Sequence, residues 1–163
     1  MTVFDWLEGV ALPTGQTAFD VVEVRFKANR KGFFRRSGGL DVQVGDVIAV
    51  ESDRGHDIGV VSLRDELVRA QMSAKKVRDD HELKKVLRKA TQEDVDLWQK
   101  ARLREGETMI KSREIIQRLG LRMKLSDVEF QGDGKKVTYY YTSDDRVDFR
   151  DLVRELAGAF AVR

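Results

Sequence analysis

The strongest constraint on the fold is a pair of alternating segments, LSDVEFQ and VTYYYTS, separated by the five residues GDGKK. Val128 and Phe130 share one face of the first segment, and Val137, Tyr139 and Tyr141 share one face of the second. An Asp-Gly step between two such segments is typical of a β-hairpin. We therefore predict two antiparallel strands whose three consecutive tyrosines point alternately to opposite faces, because tyrosine packs well on a pleated surface.

The acidic stretch after the tyrosines predicts the start of a helix. With Asp148 as N-cap, Asp151 lies at the third helical position, beside backbone N–H groups that lack partners. Val147 and Leu152 are then spaced to form a hydrophobic staple. The apolar residues that follow at helical spacing are Phe149, Leu152, Val153, Leu156 and Phe160. Capping does not account for residues 144–146, which are either a solvated loop or part of a site.

The first third of the chain is rich in β-strand patterns. The segment FDVVEVRF alternates, with Val22, Val24 and Phe26 on one face. The apolar runs GDVIAVES and DIGVVSL are separated by DRGH, a turn in which Gly55 is free to adopt positive φ. Short strands with glycine turns at this spacing predict a small barrel or a strongly bent sheet.

The middle of the chain is predicted to be helical. Residues 65–90 are charge-rich with weak periodicity, so we expect an extended arm followed by a helix near DDHELKKVLRKA. A longer helix of about 28 residues begins at Thr91 as N-cap and ends at Gly120, with negative charge in its first turn. Gly106 marks a bend or a break in that helix.

These elements predict an α/β (α+β) fold in three parts. Residues 1–64 form a small β-barrel-like unit, residues 65–90 form a basic arm or linker helix, and residues 91–163 form a helix–β-hairpin–helix domain. The last part resembles half of a ferredoxin-like sandwich.

Composition excludes several classes of protein. The chain has no cysteine, so it forms no disulfide and no thiolate metal site. Its apolar runs are too short to span a membrane, and MTVFDWLEGV lacks the features of a signal peptide, which predicts a cytoplasmic protein. Residues 64–124 carry 17 Lys and Arg against 11 Asp and Glu, whereas both flanking thirds are net negative. This basic middle indicates either an acidic partner or an exposed helical segment.

The sequence contains no phosphate-binding loop, dinucleotide fingerprint or nucleophile elbow. His56 and His81 lack the spacing of a zinc site, and the Asp-Asp pairs are adjacent, so their side chains point apart. We therefore predict that the chain is not an enzyme. The rival hypothesis is an enzyme that acts on a phosphorylated substrate with His56 and Asp57, in a pocket shared with residues 144–148.

Two basic surfaces are candidate binding sites. The nucleic-acid candidates are cations, which bind phosphates, together with two phenylalanines that are able to stack on bases. They are Lys27, Arg30, Lys31, Phe33, Phe34, Arg35 and Arg36. The alternative is an edge strand guarded by cations, with both phenylalanines in the core. The partner-binding candidates lie in the basic middle: Lys84, Lys85, Arg88, Arg102 and Arg113. Their alternative is a solvated helix face with internal ion pairs.

The string MKLSDVEFQGDGKKVTYYYTSDDRVDFRDLVRELAGAF resembles the signature of the RicT (YaaT) family, whose common core was first named after a yeast suppressor of DNA polymerase alpha. VVEVRFK, GDVIAVESDRGHDIGVVS, RKATQEDV and SREIIQRLGLRMKLSDVE fit the same family in the same order. The resemblance covers about residues 19–163, and RKGFF and GHDIG are similar to its Bacteroidetes-type branch.

The resemblance implies a cytoplasmic bacterial adaptor rather than an enzyme. Such proteins act with the small helical proteins RicA and RicF, and with ribonuclease Y, in mRNA maturation and developmental control. Eukaryotic relatives include RNA-binding proteins, so RNA is a further candidate partner; a scaffold that binds only proteins is the alternative. The family's iron–sulfur cysteines lie outside this chain, so we expect no cofactor in it. A further family strand is expected after residue 163.

Overall fold

The computed structural model describes residues 19–37, 39–79 and 82–160. Five short strands form one antiparallel sheet in the spatial order β2-β1-β4-β3-β5. The strands are β1 (Val21–Arg25), β2 (Lys31–Arg35), β3 (Val47–Glu51), β4 (His56–Leu63) and β5 (Val86–Lys89). A single 3-10 turn, Lys27–Asn29, joins β1 to β2.

The predicted alternation of the first strand is confirmed. Val22, Val24 and Phe26 belong to one buried cluster, which also contains Phe34 and Ile48. The sheet bends strongly over this cluster, and its two edges touch where Arg35 forms a bridge with Lys85. No ladder continues from that bridge within the described residues, so the predicted barrel-like unit is an open, bent sheet rather than a closed barrel.

The opposite face of the sheet is partly covered by helix α1 (Glu66–Ala74). Val68 and Met72 of α1 pack against Phe19 and Val21 in a second cluster. The order of elements in the basic middle therefore differs from the prediction, because the helix comes before the extended segment.

The helix predicted near DDHELKKVLRKA is wrong, since residues 86–89 of that stretch form strand β5. Val50 of β3 lies opposite Val86, and Ile48 lies opposite Lys89. Only Val86 is buried, while the three residues after it are exposed. A strand with one apolar side chain and several cations is typical of a sheet edge, and its weak periodicity did not distinguish it from a helix. Asp80 and His81 lie outside the described residues.

Helix α2 (Gln92–Arg118) has the predicted N-terminus. The Thr91 hydroxyl accepts a hydrogen bond from the Asp94 backbone N–H, and the Thr91 N–H donates to the Asp94 carboxylate, which completes a capping box. Gly120 follows the helix with φ of +65°, as its predicted role requires. The helix runs through Gly106 without a break.

The predicted helix–hairpin–helix is confirmed. Strands β6 (Lys124–Phe130) and β7 (Val137–Thr142) form a separate two-stranded antiparallel sheet, followed by α3 (Arg150–Phe160). Both helices share one hydrophobic core with this hairpin. Tyr139 packs against that core, whereas Tyr140 is exposed, and the Asp148 carboxylate accepts a hydrogen bond from the Arg150 N–H.

Strand β5 belongs to the first sheet although it lies in the segment predicted as a linker. The division of the chain at residues 64 and 90 stays a prediction. Among the residues that the structure describes, no helix combines the length and apolar character needed to cross a bilayer.

Candidate functional site at the junction of the two sheets

Two turns meet where the first sheet adjoins the hairpin domain. The turn between β3 and β4 contains Gly55, and the turn between β6 and β7 contains Asp133, whose carboxylate accepts a hydrogen bond from the His56 N–H at 3.1 Å. A Cβ atom on Gly55 would lie 2.1 Å from an Asp133 carboxylate oxygen, so only glycine allows this approach. Gln131 links the turns further, since its amide donates to the Arg54 carbonyl and accepts from the Ser52 hydroxyl.

Asp57 anchors the second contact between the turns. One oxygen of its half-buried carboxylate accepts hydrogen bonds of 2.8 Å from the backbone N–H groups of Ile58 and Gly132. Burial raises the pKa of this carboxyl, although the Gly132 and Ile58 N–H groups and the Arg30 charge oppose the shift. A Cβ on Gly132 would lie 2.6 Å from the Ile58 nitrogen, which explains why the chain has glycine there.

Lys27 reaches across the junction from the 3-10 turn. Its Nζ donates to an Asp127 carboxylate oxygen at 2.8 Å and to the Val128 carbonyl at 2.7 Å, and lies 3.3 Å from Glu105. Burial lowers the pKa of Lys27, but the Asp127 hydrogen bond and the charges of Glu105 and Asp127 outweigh it, so the net pKa is raised. Its ammonium therefore stays charged and fixes α2 and β6 to the first sheet.

Arg30 makes a parallel connection. Its guanidinium donates to Glu129 of β6, which is buried, and lies 3.3 Å from Asp57. The Tyr140 hydroxyl donates to the second oxygen of Glu129 at 3.1 Å. The guanidinium also stacks over Phe26, 4.3 Å from the ring centroid. Arg30 thus connects the first sheet, through Glu129, to Tyr140 of β7.

A third polar cluster lies at the start of α2. Arg88 of β5 donates to both oxygens of Asp94, at 3.0 and 2.7 Å. This bidentate contact, with the Thr91 N–H, outweighs the opposing effect of burial and holds the pKa of Asp94 well below its usual range. The Nε2 atom of His56 is 3.6 Å from Asp94, and its Nδ1 atom is 4.0 Å from Asp133.

The junction has the chemistry of a structural connection. A cavity of about 10 Å³, room for roughly one water molecule, lies between Phe26, Trp98 and Phe130. Its lining includes Asp57 and no residue of the 144–148 loop, and His56 is not part of it. The carboxylates of Asp57, Glu105 and Glu129 bind backbone or side-chain donors of the protein itself. The pocket required by the rival enzyme hypothesis is not formed at this position.

The iron–sulfur cluster implied by the resemblance does not fit this chain. The sequence has no cysteine to supply thiolate ligands. Over the described ranges, no three His, Asp or Glu side chains converge in a group able to hold a metal ion.

The structure places the nucleic-acid candidates in three environments. Lys27 and Arg30 belong to the junction. Phe34 is buried against Phe26 in an edge-to-face contact, and Phe33 packs against the cluster under α1. The guanidinium of Arg35 binds Asp20 and Asp79, Lys31 lies 3.7 Å from the buried Glu23, and Arg36 donates to the Leu40 carbonyl. Nucleic-acid binding by this set stays a prediction, and its phenylalanines are not presented together on one surface.

The partner-binding candidates are dispersed. Lys84 pairs with Asp53, Arg88 binds Asp94, and Arg102 stacks over Trp98 with 4.9 Å to the ring centroid. Arg113 donates to the Leu125 carbonyl, while Lys85, the residue just before β5, is exposed. Their role in binding a partner also stays a prediction.

Sequence reasoning missed the acidic half of the junction. Glu105, Glu129 and Asp133 were not among the candidate site residues, yet each binds groups of another element. The available signal was the repeated pairing of glycine with aspartate in RGHD and QGDG. Such pairs occur where one backbone closely approaches another element.

Comparisons with known proteins identify relatives of this chain. The PSP1 C-terminal conserved region matches residues 84–163, which span β5, α2, the hairpin and α3. Stage 0 sporulation protein YaaT of Bacillus subtilis is 34% identical over 150 residues, which cover 89% of this chain and 50% of that protein. The chain belongs to the YaaT-like family that carries the PSP1 C-terminal conserved region.

Two yeast proteins are also similar to this chain. An uncharacterized protein of Schizosaccharomyces pombe is 27% identical over 169 residues, covering 89% of this chain and 22% of that protein. Protein PSP1 of Saccharomyces cerevisiae is 46% identical over 43 residues, 26% of this chain and 5% of that protein. The chain therefore spans half or less of the length of these relatives. No solved structure matches it.

Proposed function

We propose that the chain is a non-enzymatic, cytoplasmic regulatory adaptor. In this proposal it is a RicT-like subunit that acts with RicA-like and RicF-like proteins on ribonuclease Y-dependent mRNA processing and so on developmental regulation. The observation that carries the proposal is the 34% identity to a Bacillus subtilis protein named for stage 0 of sporulation. The junction supports it, because its carboxylates and cations bind one another across two sheets instead of lining a substrate cavity.

A rigid connection is what an adaptor needs if two partners are to be held in a fixed relation. Lys27 and Arg30 each bridge the first sheet to the hairpin domain through partly or fully buried carboxylates. Breaking a fully buried pair from one side costs roughly 3–5 kcal/mol because the remaining charge has lost its partner. These two pairs should cost less, since the side chains of Lys27 and Arg30 are 25% and 43% exposed to solvent. The two sheets are therefore expected to present their surfaces as one body.

The adaptor proposal is tested by recovering partners from native cells with the tagged, longest natural form of the protein. We expect RicA-like, RicF-like and ribonuclease Y proteins to be retained by the natural sequence. The double variant Lys27→Met, Arg30→Met should lose at least one partner while each sheet remains folded by circular dichroism. A matched control, Lys111→Met with Arg154→Met, removes two cations whose partners are close neighbours on their own helices. Recovery of none of the three proteins would refute the adaptor role.

We propose RNA as an additional ligand, bound by Lys31 of β2 and by Arg36, the residue after β2. These two cations have few close acidic partners: the Lys31 Nζ is 3.7 Å from the Glu23 carboxylate, and Arg36 donates to the Leu40 carbonyl rather than to an acid. The affinity of the purified chain for a single-stranded RNA should fall steeply with salt, with a slope of about −0.7 for each phosphate contacted. The double variant Lys31→Gln, Arg36→Gln should make that slope shallower by about one to two. The control variant Lys111→Met, Arg154→Met should leave the slope unchanged.

The second candidate is a scaffold that binds only proteins. The specific observation in its favour is that Lys27, Arg30 and Arg35 are already paired with carboxylates, which reduces the positive charge available to phosphates. Absence of RNA binding at low salt, with partners still recovered, would favour this candidate.

A further inference from the structure

Two exposed cations face each other across β1 and β2. Arg25 is the register partner of Lys31, so the two side chains leave the sheet side by side on the same face. Like charges in directly opposite positions destabilise a pair of strands. Both residues are exposed, and over the described ranges Arg25 has no carboxylate within ion-pair distance. This pairing is unfavourable for the fold alone, and a bound anion would relieve it.

A buried carboxylate lies on the same face. Glu23 is 1% exposed, and its Oε1 atom accepts a hydrogen bond from the Ser62 hydroxyl at 2.8 Å and lies 3.7 Å from the Lys31 Nζ. Glu23 and Arg25 are two residues apart on β1, so their side chains point to the same side of the sheet. Because this carboxylate is covered and lies beside Lys31, it positions one of the two cations and leaves the other uncompensated.

The end of helix α1 brings a third cation to this side of the sheet. The Lys75 Nζ lies 6.0 Å from the centroid of the Phe33 ring. Phe33 is the register partner of Glu23 and is only partly buried. An aromatic ring with part of its surface exposed therefore lies among the cations.

Lys76 adds a fourth cation in a backbone conformation that disfavours lysine. Its φ is +57°, in the left-handed region that glycine occupies without strain. The Val77 N–H donates to the Met72 carbonyl at 2.9 Å, which is the hydrogen-bond pattern that ends many helices with glycine at this position. The helix dipole favours cations at the end of α1, but it does not require a lysine at the left-handed position. The exposed charge of Lys76 is thus present at a cost to the stability of the helix end.

These four cations define a surface that we call the outer basic face: Arg25, Lys31, Lys75 and Lys76. We propose that the outer basic face binds the phosphates of single-stranded RNA. This rests on the RNA ligand proposed above and shares Lys31 with it. Four cations beside one buried carboxylate attract a polyanion. The partly exposed ring of Phe33 favours unpaired bases over an acidic protein, because bases stack on aromatic rings that are set among cations.

The test is fluorescence anisotropy with a labelled oligouridine of about twelve nucleotides, at several salt concentrations. The double variant Arg25→Gln, Lys75→Gln should weaken binding about tenfold at low salt and make the salt slope shallower by about one to two. The control variant Lys111→Gln, Arg154→Gln makes the same change of net charge with cations that pair within their own helices, and it should change neither quantity. Equal effects of the two double variants would overturn the proposal, because binding would then depend on net charge alone.

Two single variants separate a binding role from a structural one. Lys76→Gly suits the positive φ, so the midpoint of urea denaturation should rise while the affinity for RNA falls about threefold or more. Glu23→Gln removes the buried negative charge and keeps an acceptor for the Ser62 hydroxyl, so the affinity for RNA should rise about twofold or more. If both variants change stability and leave the affinity unchanged, these residues have only structural roles and the proposal is wrong.

An acidic partner protein is distinguished by competition. Oligoglutamate of the same charge should displace the labelled RNA only at about tenfold or higher excess over unlabelled RNA, because it has no bases to stack. Equal displacement would assign the outer basic face to an acidic protein and overturn the proposal.

The Arg25→Gln, Lys75→Gln variant is also measured in the longest natural form of the protein. An effect confined to residues 1–163 would overturn the proposal, because the face would then be covered within the natural protein. RNA binding that this variant does not weaken would keep RNA as a ligand and exclude this face. Absence of RNA binding at low salt would refute both RNA proposals, whereas the adaptor role is decided independently by the recovery of partners from cells.

Discussion

Substitution of Gly132 by alanine should disrupt the contact between the two turns. The added Cβ would lie 2.6 Å from the Ile58 nitrogen and 2.7 Å from its Cγ1, and backbone cannot move aside as a flexible side chain does. The turn must withdraw, which stretches the 2.8 Å hydrogen bond from the Gly132 N–H to the Asp57 carboxylate. Overpacking costs about 1–3 kcal/mol. Complete loss of a hydrogen bond to a charged acceptor costs about 1.5–3 kcal/mol, and stretching the bond costs only part of that. We expect the free energy of unfolding to fall by about 2–4 kcal/mol.

Urea denaturation followed by circular dichroism measures this change, and two other glycines serve as controls. Gly106→Ala lies in open space within α2 and should stabilise the protein by about 0.5–1 kcal/mol. Gly134→Ala also meets nothing within 4 Å, but φ of +75° there costs about 1 kcal/mol of backbone strain. A typical surface substitution changes the free energy of unfolding by no more than about 0.5 kcal/mol. If Gly132→Ala changes it by no more than that, the close approach of the turns does not contribute to stability.

Three further predictions concern the junction and the core. Asp94→Asn should destabilise the protein by about 1–2 kcal/mol at neutral pH, as for a lost helix cap, measured by urea denaturation. The pKa of Asp94 is lower in the folded protein than in the unfolded chain, so its stabilisation is present above the unfolded pKa of about 4 and lost as pH falls below it. The stability of Asp94→Asn should therefore change less between pH 6 and pH 3 than that of the natural protein. Thermal melts at the two pH values check this. In a double-mutant cycle, Arg30→Met and Glu129→Gln should show a coupling of about 1–3 kcal/mol in urea, and additive effects would mean that the pair is not formed. Phe34→Ala should cost about 3–5 kcal/mol, whereas a surface phenylalanine would cost under 1 kcal/mol in the same assay.

Local rules predicted the hairpin domain well because each of its elements has a strong signal of its own. The alternation of Val137, Tyr139 and Tyr141 and the Asp-Gly turn specify a hairpin without reference to the rest of the chain. Thr91 and Asp94 likewise specify a helix start through bonds within four residues. Period and capping therefore sufficed for this part of the fold.

The basic middle was mispredicted because its structure depends on distant residues. Val86 is the one buried position of β5. It lies opposite Val50 of β3, which is thirty-six residues earlier in the chain. A strand with a single apolar contact has no period that a sequence window can detect. Tertiary pairing thus decided the local structure.

The candidate site shows the same limit in electrostatic terms. The basic-aromatic loop predicted a surface that binds phosphates, and the carboxylates that meet Lys27 and Arg30 are about a hundred residues away in the sequence. A cation count along the chain records formal charge, whereas the charge offered to a ligand depends on which cations are already paired after folding. Since Lys27 and Arg30 hold the two sheets together, the basic-aromatic loop contributes less to an external field than its sequence implies.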